Sequence, residues 1–179
     1  DFDNLPFKKK SFDLVISNFC TNKVLEKKNF LKKILDILTD DGLFLCNFFG
    51  EQTLRELRQC FFIADDRFLS GAFNRIPKVD LMADFSNLLA EVGYNEIVTE
   101  KVNFDIFYKS IIGILKDIKN MGEKIPIIEK KEKISKTYIN FLNKIYIKEF
   151  ANQNRQLKVT LDIISISSWK QLKNNSTNQ

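Results

Sequence analysis

The sequence predicts an α/β fold, and three stretches carry that prediction. Phe12-Asp13-Leu14-Val15-Ile16-Ser17-Asn18 is a short apolar run with a β-branched centre, the pattern of a parallel strand buried on both faces. From Lys27 to Leu38, Phe30, Leu31, Ile34, Leu35 and Leu38 recur at helical spacing, and Asp40-Asp41-Gly42 marks the stop. Gly42-Leu43-Phe44-Leu45-Cys46-Asn47-Phe48 then reads as a second buried strand. Strand, helix and strand in this order make a β-α-β crossover unit with its two strands parallel.

The remaining elements follow in order. Leu54, Leu57, Phe61 and Ala64 predict a further helix, and Leu69 to Val79 an irregular loop around Gly71 and Pro77. Asp84 to Val92 reads as a short helix closed by Gly93 just past its end. Val102, Phe104, Ile106 and Tyr108 alternate with Lys101, Asn103 and Asp105, which predicts a half-exposed strand near a sheet edge. Two helices come next, with Ile111, Ile112, Leu115, Ile118 and Met121 on the buried face of the first, which stops at Gly122. Ile134, Tyr138, Phe141, Leu142, Ile145 and Tyr146 form that face in the second. Leu157, Val159, Leu161 and Ile163 alternate as a last strand, and the change of phase at Ile164 and Ile166 indicates a bulge or a change of burial. Asn174 to Gln179 is a polar tail. With no repeat and no linker, the 179 residues are expected to share one core.

Composition narrows the chemistry. A hydrophobic share of 44% and a charged share of 28% are those of an ordinary globular protein. The net charge of +5 comes from 28 basic and 23 acidic residues, and the lysines alternate with acids along the predicted helix faces. That pattern marks solvated faces rather than a nucleic-acid surface. Histidine is absent, which excludes Ser/His/Asp and Cys/His nucleophile systems and His-ligated zinc. Cys20, Cys46 and Cys60 are too few and too scattered for a disulfide framework, so a reducing, cytoplasmic setting is expected. Cys46 lies within an apolar strand and reads as a buried small hydrophobe. No apolar run reaches the roughly 18 residues that a membrane span needs.

Several blocks resemble a known family. Leu5-Pro6-Phe7 followed by Ser11-Phe12-Asp13-Leu14-Val15-Ile16-Ser17-Asn18 is similar to the stretch that leads into strand four of class I S-adenosylmethionine-dependent methyltransferases, and Asp40 to Leu45 resembles the approach to their strand five. Phe49 to Arg58, Asp84 to Leu89 with Gly93-Tyr94, and Asp117 to Glu123 resemble the "FGgdTLxELR", "DlgxLLxxaGF" and "DLrxMGE" blocks of one subfamily. It holds the malonyl-carrier-protein O-methyltransferase of biotin synthesis and the mitochondrial assembly factor of respiratory complex I. Trp169 fits the "GWK" closing the family's last strand, with Ser168 in place of Gly.

The resemblance implies an incomplete Rossmann-like methyltransferase sheet, strands four to seven, with its last strand antiparallel to its neighbours. Residues 1–173 would form the C-terminal part of a single domain, with a helical lid at about 109–150. Strands one to three, the GxGxG loop and the acid that holds the ribose are expected upstream, as a missing N-terminal segment of the same fold; the glycines at 42, 50, 71, 93, 113 and 122 are never two apart. Strand four would then carry an unpaired apolar edge. S-adenosyl-L-methionine is the implied cofactor, with Asp1 and Phe2 beside its adenine, unless they are simply a frayed terminus. Ser17, Asn18 and Phe19 would meet its methionyl end, Asn18 having a plain turn role as its alternative. The family's "LHW" is replaced by Thr21-Asn22-Lys23, which trades an aromatic wall for polar groups. Arg75 reads either as a clamp for a substrate carboxylate or as a surface arginine, and Tyr108 and Tyr146 as acceptor-site or core residues. The implied activity is methyl transfer to an oxygen or nitrogen of a small-molecule, carrier-protein or protein substrate. The alternative is a non-catalytic assembly factor or decayed enzyme, with a nucleic-acid binder third.

Overall fold

The computed structural model describes residues 5–71, 73, 75–76, 79–121 and 135–170. Asp1, Phe2, Gly122, Ile134 and the polar tail lie outside them. The elements are β1 (Phe12–Asn18), α1 (Lys27–Ile37), β2 (Leu38–Phe49), α2 (Arg55–Leu69), α3 (Met82–Val92), β3 (Asn95–Tyr108), α4 (Ile111–Asn120), α5 (Lys136–Phe150) and β4 (Leu157–Trp169). The strands form one sheet in the order β1-β2-β4-β3. β1 is parallel to β2 and β4 is antiparallel to β2, as expected.

The chain divides into two compact units. The first comprises Asp1–Gly50, Val79–Val102 and Ile163–Gln179. Its core joins Phe30, Leu31, Ile34 and Ile37 of α1 to Phe44, Cys46 and Phe48 of β2, Phe85 and Leu89 of α3, and Ile164 and Ile166 of β4. Cys46 is buried as expected, and burial pushes its thiol up to about 12. Tyr94 donates its hydroxyl proton to the Leu31 carbonyl at 3.0 Å, so its polar end is satisfied inside the core. The Trp169-Lys170 pair at the end of β4 has a mechanical use: Lys170 Nζ reaches the carbonyls of Leu35 and Leu38, both at 2.7 Å, and caps the C-terminus of α1 with a positive charge.

β2 begins four residues before the sequence indicated, because the chain after α1 turns directly into the strand. The register with β1 slips between Phe12↔Leu38 and Leu14↔Leu43, and Asp41 takes a left-handed φ of 65° within the slip. Gly42 packs tightly there, since a Cβ would sit 2.9 Å from the Thr39 carbonyl oxygen and 3.1 Å from Leu38.

Among the described residues β1 has β2 as its sole strand partner, so its far edge is unpaired as expected. Leu14 (45% exposed) and Ile16 (61%) lie along it. With Leu5, Phe7, Phe12, Phe30 and Ile34 they border a groove of about 360 Å³.

The second unit comprises Glu51–Lys78 and Asn103–Asp162. Its core is built from Leu57, Cys60, Phe61 and Ala64 of α2, Ile111, Ile114 and Ile118 of α4, Tyr138, Leu142 and Tyr146 of α5, and Leu157 and Val159 of β4. The α4 face therefore runs through Ile114, while Ile112 and Met121, expected inside, are exposed. The phase change of β4 falls between Val159 and Thr160, earlier than the sequence indicated. Beyond it Thr160 and Asp162 are buried in place of Leu161 and Ile163, because each finds a partner inside. Thr160 donates to Glu56, Asp162 N donates to Thr53 Oγ1, and Thr53 Oγ1 donates to the Asp162 carbonyl.

Burial alone would raise the Glu56 carboxyl, but the bonds from the Thr160 hydroxyl and backbone hold it below its ordinary value of 4.5. A lowered folded value contributes stability above pH 4.5 that is lost as pH falls through it.

Two outcomes are expected. Gly42→Ala should destabilise by about 1–3 kcal/mol, because the neighbouring atom is backbone and cannot yield cheaply; an unchanged urea midpoint would contradict this packing. Thr160→Val should cost about 1.5–3 kcal/mol at pH 7, the value of a charge-assisted bond. That difference should shrink towards pH 3 in melts of the two proteins, and a pH-independent difference would refute the protonation account.

Candidate functional site

In an open α/β sheet, ligands bind in the crevice beyond the carboxyl ends of the parallel strands. Here those ends belong to β1 and β2. The pairing Asn18↔Asn47 closes the ladder, and the Asn47 side-chain amide donates to Asn18 Oδ1 at 3.3 Å. Phe19 follows with a left-handed φ of 52°, uncommon for a residue of this bulk. It is fixed by its N–H donating to the Asn47 carbonyl at 2.9 Å and by its ring packing on Phe49 at 4.6 Å between centroids. Backbone held in a sparsely populated region concentrates at ligand sites.

The chain then makes a short 3-10 turn, Thr21–Lys23. Ser17 Oγ, Thr21 Oγ1 and Asn22 Oδ1 are all buried and make no hydrogen bond among the described residues. Ser17 is 7% and Thr21 1% exposed. Each such atom costs about 1–3 kcal/mol of desolvation unless a partner supplies the bond. They are grouped within six residues at a strand's carboxyl end, the place where an open α/β sheet takes its ligands.

Of the residues that sequence reading nominated, the fold gathers Ser17, Asn18 and Phe19 at this end of β1. Thr21 and Asn22 belong with them, where the sequence shows only polar replacements for an aromatic wall. Asn47 and Phe49 were missed. Their signal was the parallel pairing itself, which sets the ends of the two strands side by side. Asp1 and Phe2 lie outside the described residues.

Arg75 and Tyr108 belong to the second unit. Arg75 is not a surface arginine, being 8% exposed. Its Nε donates to Asp65 Oδ1 and Oδ2 at 2.8 and 2.6 Å, and its Nη2 lies 2.6 Å from Oδ1. Tyr138 donates to the same carboxylate at 2.6 Å, and the rings of Phe61, Phe73 and Tyr138 surround the guanidinium at 5.5–5.7 Å. Asp65 itself is fully buried, so this planar fork serves an internal carboxylate and the clamp reading is corrected. Tyr108 ends β3. Burial, and then a hydrogen bond with Asp117 of α4, raise its hydroxyl. Tyr146 is a core residue, its hydroxyl donating to the Lys158 carbonyl at 2.7 Å.

A sheet with one parallel β-α-β unit and an antiparallel final strand is a Rossmann-like α/β arrangement. The family described as "Methyltransferase domain" matches residues 1–46. A Rickettsia prowazekii protein named as a methyltransferase is 31% identical over 151 residues, covering 78% of this chain and 66% of that one. The mitochondrial arginine-hydroxylase NDUFAF5 of Danio rerio is 26% identical over 170 residues, covering 95% and 53%. The malonyl-[acyl-carrier protein] O-methyltransferase of Nitrosospira multiformis is 32% identical over 126 residues, covering 68% and 38%. Among solved structures, the YcgJ protein of Bacillus subtilis superposes with a TM-score of 0.57 at 16% identity, over 96% of this chain and 69% of that one, a likeness of fold alone. The chain belongs to the class I S-adenosylmethionine-dependent methyltransferase family, in the branch that holds these relatives. It spans about half the length of the NDUFAF5 proteins it matches, 49–53% in the vertebrate ones.

Arg75→Ala should leave Asp65 buried without a counter-charge and cost about 3–5 kcal/mol. A thermal melt that does not move would return Arg75 to the list of candidate substrate clamps.

Proposed function

We propose that this chain is the C-terminal portion of a methyltransferase that uses S-adenosyl-L-methionine, and that the cofactor's methionyl end is held at the carboxyl ends of β1 and β2. One observation carries the reading: the three buried, unpartnered oxygens of Ser17, Thr21 and Asn22. A charged, hydrogen-bonding amino acid moiety is the chemistry such a set fits. When bound, S-adenosylmethionine supplies an electrophilic methyl group for transfer to an oxygen or nitrogen. The protein's own part is positioning. Ser17, Thr21 and Asn22 would hold polar groups, the Asn18–Asn47 pair would fix the strand ends, and Phe19 against Phe49 would wall the crevice from water. In-line transfer between positioned partners needs no histidine.

The acceptor in this reading is a carboxylate or a protein side chain. The names of two relatives support it, since one acts on a malonyl-carrier protein and the other is an arginine hydroxylase. The four strands would be the last four of seven, and the groove along β1 would receive the segment that carries the first three. A cytoplasmic setting stays part of the proposal, supported by Cys46 and Cys60 as buried thiols.

Calorimetry with S-adenosylhomocysteine tests it. The 179-residue chain should bind more weakly than micromolar, and the chain extended by its upstream segment should bind in the micromolar range. In the extended protein, Thr21→Val with Asn18→Ala should weaken binding about tenfold or more. Unaltered affinity in that variant would remove the site from this end of β1. An extended protein that does not bind at all would favour the non-catalytic assembly role.

A further inference from the structure

The second unit holds a cleft of about 400 Å³ lined by Gln52, Arg55, Glu56, Gln59, Phe150 and Lys158. Its geometry is set by Glu56, which is 2% exposed. Glu56 Oε2 accepts from Thr160 N at 3.0 Å, and Oε1 accepts from Thr160 Oγ1 at 2.6 Å and from Arg55 Nε at 3.2 Å. That last bond occupies one edge of the guanidinium. The other edge, Nη1 with Nη2, makes no hydrogen bond among the described residues, and the side chain is half-exposed. Two parallel N–H donors in a plane match the two oxygens of a carboxylate or of a phosphate. A guanidinium already tethered to a rigid buried carboxylate also loses less rotamer freedom when it takes a ligand.

Lys158 brings a second cation. Its carbonyl is fixed by the Tyr146 hydroxyl at 2.7 Å, and its Nζ lies 2.7 Å from Asp105 Oδ2. An ammonium has three donors, and this contact uses one. Asp105 competes for that ammonium: the Lys158 hydrogen bond is the largest influence holding its carboxyl low, with Arg55 contributing. Gln52 and Gln59 add side-chain amides that are unbonded among the described residues, and Phe150, stacked edge-on against Tyr146 at 5.7 Å, adds an apolar wall.

We propose that this cleft binds a small oxyanion, a carboxylate or a phosphate group, with Arg55 as the fork, Lys158 as the second cation and Gln52 and Gln59 as neutral donors. The proposal is independent of the cofactor reading, which concerns the other unit. The full chain is titrated with inorganic phosphate and with succinate at constant ionic strength, and the Arg55 Nε–H and glutamine side-chain amide resonances are followed by ¹⁵N NMR. Saturable shifts are expected at Arg55, Gln52 and Gln59, and the tighter anion identifies which oxyanion the cleft takes. Arg55→Gln and Lys158→Gln should each weaken binding about tenfold. Asp105→Asn should strengthen it, whereas Arg67→Gln, on the exposed last turn of α2, should leave it unchanged. Lys158→Gln keeps every bond of Glu56, so the comparison survives if Arg55→Gln does not fold. Linear, unsaturable shifts with both anions, or wild-type affinity in Lys158→Gln, would overturn the proposal.

Discussion

Parallel pairing of β1 with β2 cannot be closed by a tight turn; it requires a crossover, and α1 supplies it. The pairing therefore fixes more than two strands. It puts Asn18 and Asn47 side by side, brings the chain out of both strands at the same end, and leaves Phe19 to reverse direction against Phe49. The buried oxygens of Ser17, Thr21 and Asn22 collect there, at the end of β1 and in the turn that follows it. Lys170, returning on β4 to cap α1, locks the crossover from its other end.

The elements built from periodic apolar residues were legible in the sequence: β1, α1, α2, α3 and α5, with the first two strands parallel. The parts that were not legible turn on polar residues whose partners lie far along the chain. Thr160 and Asp162 alternate with Leu161 and Ile163, and a hydrophobicity pattern assigns the leucine and isoleucine to the inside. Glu56 and Thr53, more than a hundred residues earlier, reverse that choice by supplying bonds. Arg75 was misplaced for the same reason, since nothing in its neighbourhood announces that Asp65 is buried to receive it. At the candidate site the strand end was legible from the resemblance and the apolar run. Asn47 and Phe49 were not, because their relevance comes from register rather than from residue type.

Two of the buried carboxylates of the second unit, Asp65 and Glu56, solve one problem in different ways. Asp65 is neutralised by a full countercharge wrapped in aromatic rings, which leaves nothing over. Glu56 is held mainly by neutral donors from Thr160, so the guanidinium beside it is only partly used. The same pairing of residue types thus gives a closed structural knot in one place and an open recognition edge in the other.

The open edge of β1 also carries a rule of symmetry. If a second copy were to lay its own β1 antiparallel along this edge, the pair would be related by a two-fold axis, both edges would be consumed, and growth would stop at two. Any addition that reuses an edge without consuming its own repeats head to tail and does not close. Leu14 and Ile16 lie on the strand where that choice would be made, so any self-association through this edge would be limited by how one seven-residue strand finds its neighbour.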